Sequence, residues 1–404
     1  MLGVFLLAVL VATIVASIFH YVGERKGQKG QKEKFILGIY KVKGKWYYLK
    51  YAAFRLLLLM RKLNNMRLET KFGKTTNYES IEKPQTLSDH PKAFDAVFFV
   101  AANRNGFYMA TGCEARKDGN ANALCYLMVP GKGLLCSEAL PSTNLKMDSE
   151  KFAEGEYQAG GVNFKMITPM SQWKIGYRGK MYLCDDKSQE FDVDFSGTWS
   201  SHLPHFDYEH DLHPATLARA IATEDWSAEY FENLKEAHQT HYEQLGQLQG
   251  KLTINNEETI SINSHSFRDH SFGKKRDWTL MHRYGFHILF FKDGSKLVVA
   301  VICQPCTSSR LEAGYYCSPK GEIEAIEKVD LELYRHGEGG TPPTDYAFHY
   351  KAGGRTRLLQ VKVIASSEHL VSETRMVERF VEVFSDGLQG WGVSEWNYKQ
   401  KEFQ

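Results

Sequence analysis

The residues best suited to chemistry lie from Ser266 to Trp278, where Arg268, Asp269, His270, Arg276, Asp277 and the aromatics Phe267, Phe272 and Trp278 crowd between strand-like runs. A strand buried on one face alternates apolar and polar residues. This stretch does not, so its polar groups serve a site or a buried hydrogen-bond network. Asp269 and His270 are adjacent, and on a strand they point to opposite faces. A carboxyl in apolar surroundings has its pKa raised by desolvation and keeps a proton to donate, as protonating an isolated C=C bond requires. Asp269 is the candidate general acid, His270 or His282 the group that orients it or relays protons, and Arg268 tunes its charge. Arg276, Asp277 and Arg283 are equally suited to a structural ion-pair network.

Other polar clusters are weaker. His202, His205, His210 and His213 are interspersed with acids in no metal-binding spacing and read as a surface loop. His238 and His241 could share one face of a helix but lack further ligands, and Cys303-x-x-Cys306 with Cys317 lacks a fourth cysteine. No metal site and no cofactor is expected. The absence of a P-loop, G-x-G-x-x-G, H-E-x-x-H or G-x-S-x-G pattern argues against nucleotide-dependent, zinc-protease and α/β-hydrolase chemistry.

The elements that must carry these residues are mostly strands. From Phe94, runs such as AVFFVAANR, GFYMATGCEAR and ALCYLMV alternate with glycine turns, and Trp173-x-Ile175-x-Tyr177 suits one strand face. Pro214 opens a stretch with apolar residues at helical spacing to about residue 247, and strand-like runs resume from Gly250. The predicted organisation is a linker over 72–90, a first β-domain over 91–213, a helical connector over 214–248 and a second β-domain over 249–404.

The amino-terminal part differs. Leu2 to Val22 has no charged side chain and is long enough to span a bilayer, so residues 1–23 are expected to be an uncleaved transmembrane anchor. From Arg25 to Lys71 there are 14 Lys/Arg against Glu33 and Glu69; the whole chain is +2, so residues 72–404 carry about −9. A basic neck over 24–71 on an acidic body suits an anionic membrane surface and not nucleic acid. The positive flank places the body in the cytosol, with the endoplasmic reticulum the favoured membrane. Seven cysteines without a regular framework agree with a reducing compartment. Trp46 to Leu63, aromatic, leucine-rich and cationic, reads either as an interfacial helix or as an ordinary helix packed on the body.

Five segments carry a family likeness: Phe94–Phe99, Trp173–Gly179, Ala237–Gln244, Arg268–Gly273 and Gly390–Trp396. In this order, over about 300 residues, they resemble the two-barrel lipocalin-like superfamily of carotenoid hydratases, AttH-like proteins, tocopherol cyclase and yeast survival-factor proteins. The nearest likeness is to a branch that carries phosphoenolpyruvate synthase-like or phosphotransferase-like labels, although this chain lacks the domains phosphotransfer needs. The resemblance implies a mainly β fold of two successive antiparallel barrels enclosing a lipophilic ligand, with Asp269 at the position of the hydratases' proton donor. Two functions follow. One is a membrane-anchored module that binds or transfers a lipid, sterol or isoprenoid, with Arg268, Trp278, Arg283, Tyr284 and Trp391 against the ligand. The other is a hydratase, cyclase or isomerase acting through Asp269; a non-catalytic scaffold is the third possibility. An Asp269 facing a cavity without an arginine partner favours the enzyme, and one locked to Arg268, Arg276 or Arg283 favours structure.

Overall fold

The computed structural model describes residues 35–72, 78–371 and 374–400. A small hairpin, β1 (Phe35–Ile36) and β2 (Tyr40–Lys41), precedes helix α1 (Tyr47–Phe72) and the short α2 (Tyr78–Glu82). The strands β3 (Phe94–Ala102), β4 (Tyr108–Arg116), β5 (Asn120–Val129), β6 (Gly133–Ser137) and β7 (Ser142–Lys146) follow, then helix α3 (Ser149–Ala153). Next come β8 (Glu156–Ala159), β9 (Val162–Thr168), β10 (Gln172–Leu183), β11 (Asp186–Ser200) and β12 (Phe206–Asp207). Helices α4 (Pro214–Thr223) and α5 (Ala228–Glu236) lead to β13 (Thr240–Ile254) and β14 (Glu258–Gly273). The remaining strands are β15 (Arg283–Phe291), β16 (Lys296–Gln304), β17 (Ser308–Cys317), β18 (Ile323–Val329), β19 (Asp345–Ala352), β20 (Arg355–Val371), β21 (Thr374–Ser385) and β22 (Leu388–Lys399).

Two sheets result. In the first, the order β11-β13-β14-β3-β4-β5-β6-β10 returns on itself because β10 also pairs with β11, and β7, β8, β9 and β12 attach to this ring. The second is a closed barrel of β15 to β22 in sequence order. The mainly β, two-barrel expectation therefore holds. The expected boundaries shift. Residues 240–254 form a strand, not the end of a helix, because β14 pairs with β13 along its whole length. β14 also pairs with β3, so Arg268, Asp269 and His270 belong to the first sheet and not to the second β-domain. Helical spacing ending at Tyr242 was ambiguous over a short run, and a long antiparallel partner decides such a run.

Both barrels are filled. Phe99, Phe164, Trp173, Ile175, Tyr177 and Trp199 pack inside the first, and Leu289, Val299, Phe348, Val381 and Trp396 inside the second. A third apolar cluster joins the outer walls, with Val100, Tyr108 and Tyr126 of the first sheet against Ile288, Phe290, Phe380 and Trp391 of the second. Because successive strand residues point to opposite faces, each wall strand serves a barrel core on one side and the inter-barrel layer on the other.

The first barrel contains a buried ion pair. Arg268 Nη1 lies 2.6 Å from Glu82 Oε1, with both side chains almost wholly buried. Glu82 also accepts from Tyr242 Oη at 2.7 Å, the Met170 amide at 2.7 Å and Trp173 Nε1 at 3.2 Å. The guanidinium lies over Trp173, Trp199 and Tyr242. Helix α2 thus plugs the barrel with a carboxylate that a strand arginine neutralises.

No helix among the described residues is long and apolar enough to cross a membrane. The expected span Leu2 to Val22 lies outside the described residues. Helix α1 packs against α4, with Lys50 Nζ donating to the Glu224 carbonyl at 2.6 Å and Arg61 paired with Glu209. It leaves Tyr48, Leu49, Leu59 and Leu63 exposed. The reading of all cysteines as reduced is corrected at one place: Cys136 and Cys184, with Cα atoms 5.4 Å apart, form a disulfide between the ends of β6 and β10. Cys303, Cys306 and Cys317 are free.

Removing one partner of a buried ion pair leaves an uncompensated charge. Arg268→Ala is therefore expected to lower unfolding stability by about 3–5 kcal/mol, whereas Glu82→Gln combined with Arg268→Met loses much less. Urea unfolding of the two variants checks this.

Candidate functional site

A cavity of about 650 Å³ lies between the outer walls of the two barrels. Its apolar lining includes Phe98, Leu124, Met281, Phe286 and Ile302. β14 and the segment that follows it supply one wall. Gly273 ends β14, and residues 274–282 cross to β15, carrying Arg276, Trp278 and Met281 into the lining. Asp277 caps the single turn Trp278–Leu280 and pairs with Lys92 at 2.6 Å, which holds this crossing segment to the first barrel.

Alternation along β14 sorts its polar residues. Asp269 stands opposite Phe98, on the cavity face. Arg268 and His270 stand opposite Phe99 and Val97, on the core face. The side chain of Asp269 keeps 14 % of its surface accessible. Among the described residues its one ion pair within 4 Å is with His241, whose Nε2 lies 3.8 Å from Oδ2. His241 Nε2 is also 3.2 Å from Glu243 Oε1, and its ring stacks on Tyr208. Burial pushes the Asp269 carboxyl up from 3.8 to about 6; His241 and, from farther off, Arg276 oppose this, and Glu243 and Glu395 add to it. Burial alone would lower the His241 pKa, but Glu243 and Asp269 outweigh it and raise it. The result is a carboxyl poised to hold or release a proton near neutral pH, beside an imidazole that can exchange one.

The second barrel supplies the facing wall. Glu378 and Glu395 are directly opposed on β21 and β22, and both line the cavity. Tyr284 Oη donates to Glu395 and lies 3.4 Å from Met376 Sδ. Burial, reinforced by Glu395, raises the Glu378 carboxyl well above the usual range, so Glu378 is held as the neutral acid. Arg276 is engaged elsewhere: it donates to Ser271 Oγ at 2.7 Å, lies 3.9 Å from Glu114 and covers the Phe94 ring.

Of the residues singled out in the sequence, Asp269, Trp278 and Tyr284 meet at this cavity. The other five lie elsewhere. His270 is in the first barrel, with Nε2 2.7 Å from Asp95 and Nδ1 2.8 Å from Tyr242 Oη. Arg268 is bound to Glu82 there. Arg283 lies inside the second barrel, donating to Glu338, the Leu333 and His336 carbonyls and Tyr398 Oη. His282 bonds the same Glu338 at 2.7 Å. Trp391 packs between the barrels and donates to the Ala102 carbonyl at 3.1 Å. The expectation of a ligand enclosed within a barrel is replaced by a cavity between two packed barrels.

His241, Glu243, Glu378 and Glu395 are the residues that sequence reasoning missed. A signal for the last two was present. Asp386-Gly387, with φ of 48° and 82°, is a two-residue hairpin turn of the Asp-Gly type, and it sets Glu378 opposite Glu395. His241-x-Glu243 reads as one strand face only once residues 240–254 are known to be a strand.

Asp269 makes a pH prediction with a definite sign. Its folded pKa is raised, so its contribution to stability is fully present below the ordinary 3.8 and is lost as pH rises through about 6. Asp269→Asn is expected to flatten the pH dependence of unfolding free energy across that window. Denaturant titrations at several pH values check it, and a carboxyl-carbon NMR titration locates the midpoint directly.

Comparison with known proteins agrees with this architecture. Kievitone hydratase from Nectria haematococca superposes with a TM-score of 0.50 at 12% identity, covering 80% of this chain and 93% of that one. A protein assigned as AttH from Nitrosomonas europaea gives 0.48 at 12% identity, covering 77% and 97%. At this identity the likeness to the hydratase is one of fold: the two-barrel lipocalin-like arrangement. No curated protein sequence matches. A family model does match, over residues 9–398, and the chain belongs to that family of unknown function, DUF8627.

Proposed function

We propose that the protein takes a lipophilic small molecule into the inter-barrel cavity and acts on it by proton transfer, with Asp269 as general acid on a C=C bond. The observation that carries this reading is the setting of Asp269. It is a cavity-facing carboxyl with no arginine or lysine within ion-pair distance among the described residues; Arg276 attracts it only from farther off, and its pKa is pushed up to about 6. The cavity's 650 Å³ falls within the roughly 300–1,000 Å³ typical of small-molecule sites. Trp278, Phe98 and Phe286 offer the apolar contacts. His241 is placed to return a proton to Asp269 after each turnover, and no bound cofactor is invoked. One structural neighbour is named as a hydratase, and its likeness in fold supports the reading by analogy. We propose kinship with the phosphoenolpyruvate synthase-like branch in fold alone, on the sequence likeness described above, and no phosphotransfer.

Binding and transfer without chemistry is the second reading, and the cavity favours it as much as Asp269 favours the first. One experiment separates them. The full chain and Asp269→Asn are purified from a eukaryotic host, and co-purifying lipids are extracted and identified by mass spectrometry. Conversion by the wild type, with the unconverted molecule retained by the variant, is expected. For hydration the product is heavier by one water. Equal retention of one unchanged molecule by both proteins would leave a carrier, and no lipid in either would favour a scaffold.

We propose further that residues 1–23 anchor the chain and that the basic neck and the exposed face of α1 hold the body at a membrane surface, on the cytosolic side. The Lys/Arg flank supports that side. The Cys136–Cys184 disulfide pulls the other way, toward an oxidising compartment. A glycosylation acceptor placed in the exposed turn near Lys187 is expected to stay unmodified in cells, and its glycosylation would put the body in the lumen. Deleting residues 1–23 is expected to release the protein from carbonate-washed membranes.

A further inference from the structure

The chemistry above uses Asp269 and its neighbours on the first barrel and leaves the facing wall unassigned. That wall has an unusual feature. Glu378 is wholly buried, yet it lines the cavity, and among the described residues no N–H or hydroxyl donor reaches its carboxyl oxygens, whose one hydrogen-bonding neighbour is the Glu395 carboxyl. A buried carboxyl whose only polar neighbour is a second carboxyl is costly to ionise. The hairpin turn places it directly opposite Glu395, which Tyr284 Oη contacts from the side. The Arg276 cation is committed to Ser271 and Glu114, and His369, its pKa lowered to about 4 by burial, is a neutral imidazole bonded to Tyr126 Oη. The lining as a whole is acidic, with eight carboxyl side chains, Glu378 and Glu395 among them, against Lys275 and Arg276.

Resting on the reading of this cavity as the ligand site, we propose that Glu378, Glu395 and Tyr284 form a cation-binding subsite that takes the positively charged centre of a lipophilic molecule. Two opposed carboxyls in apolar surroundings share one proton when the site is empty, because both cannot ionise at close range. A cationic centre between them removes that constraint. Glu378 then ionises, its proton leaves to solvent, and the two carboxylates face the positive charge. No covalent bond forms or breaks in the ligand. In a reaction begun by Asp269, the positive charge is the carbocation formed when the acid proton joins one alkene carbon. The subsite then stabilises that charge from the opposite wall, as electrostatic preorganisation requires. The same wall repels carboxylates and phosphates, so anionic lipids are excluded from the ligand class.

The test uses three water-soluble probes of one shape: cyclohexylethylamine (cation), cyclohexylethanol (neutral) and cyclohexaneacetate (anion). Each is titrated by calorimetry into the full chain in phosphatidylcholine nanodiscs, in two buffers of different ionisation enthalpy. The amine is expected to bind about tenfold tighter than the alcohol, with the anion weakest, as one added ion pair in a partly dry site would give. Amine binding is expected to release close to one proton near neutral pH. Glu378→Gln and Glu395→Gln, confirmed folded by circular dichroism, are expected to lose both the preference and the proton release; the comparison of probes on the wild type needs no variant. Alcohol binding with no preference for the amine would overturn the subsite and leave the cavity reading standing. So would a preference that survives in both Gln variants. Failure of all three probes to bind would overturn both.

Discussion

The buried pair of Arg268 and Glu82 governs where the chemistry sits. A guanidinium enclosed by Trp173, Trp199 and Tyr242 cannot leave the first barrel without exposing a charge and abandoning Glu82. That pins the register of β14, since a slip of one residue would turn every side chain to the other face. With Arg268 and His270 held inward, Asp269 has to face the second barrel. The second barrel repeats the device. Arg283 lies over Trp396 and Tyr398 and is held by Glu338, and with it fixed inward Tyr284 faces the cavity. Each barrel thus orients one wall of the site by burying an arginine on the strand next to it.

This arrangement separates stability from chemistry. Apart from the buried pairs around Arg268, His270 and Arg283, the barrel interiors are packed with aromatic and aliphatic side chains, while the titratable groups of the site collect where two outer walls meet. The apolar layer of Val100, Phe290, Phe380 and Trp391 holds those walls together beside the cavity. Low polarizability there raises the Asp269 carboxyl and keeps Glu378 protonated, and the same groups in water would be ordinary carboxylates. The short segment after Gly273 joins the barrels and also contributes Trp278 and Met281 to the lining, so the geometry of the joint and that of the site are linked.

Much of the fold was legible because strand patterns are local. Trp173, Ile175 and Tyr177 do face one core, and the succession of short runs with glycine turns does form two barrels. Residues 240–254 were not legible: Tyr242 and its neighbours fit a helical repeat until β14 pairs with them. Moving that strand and β14 into the first sheet moved the whole Arg268–Gly273 segment with them. Among the site residues, the carboxyl of Asp269 stood out by type and setting. Glu378 and Glu395 lay on runs read only as strands, although the Asp386-Gly387 turn already encoded their pairing.

By itself the sequence determined the β-rich class, the charge division between a basic neck and an acidic body, and the opposition of Asp269 to its two neighbours. All three follow from composition or from spacing within a few residues. Only the tertiary structure decided that His270, His282 and Arg283 are tied to buried partners, and that Asp269 shares a cavity with His241, Glu243, Glu378 and Glu395. Those relations join residues up to 175 positions apart, through strand register and the packing of one barrel on another. Which of two strand faces meets a core and which meets a neighbouring domain is a property of the assembled walls, and no local pattern carries it.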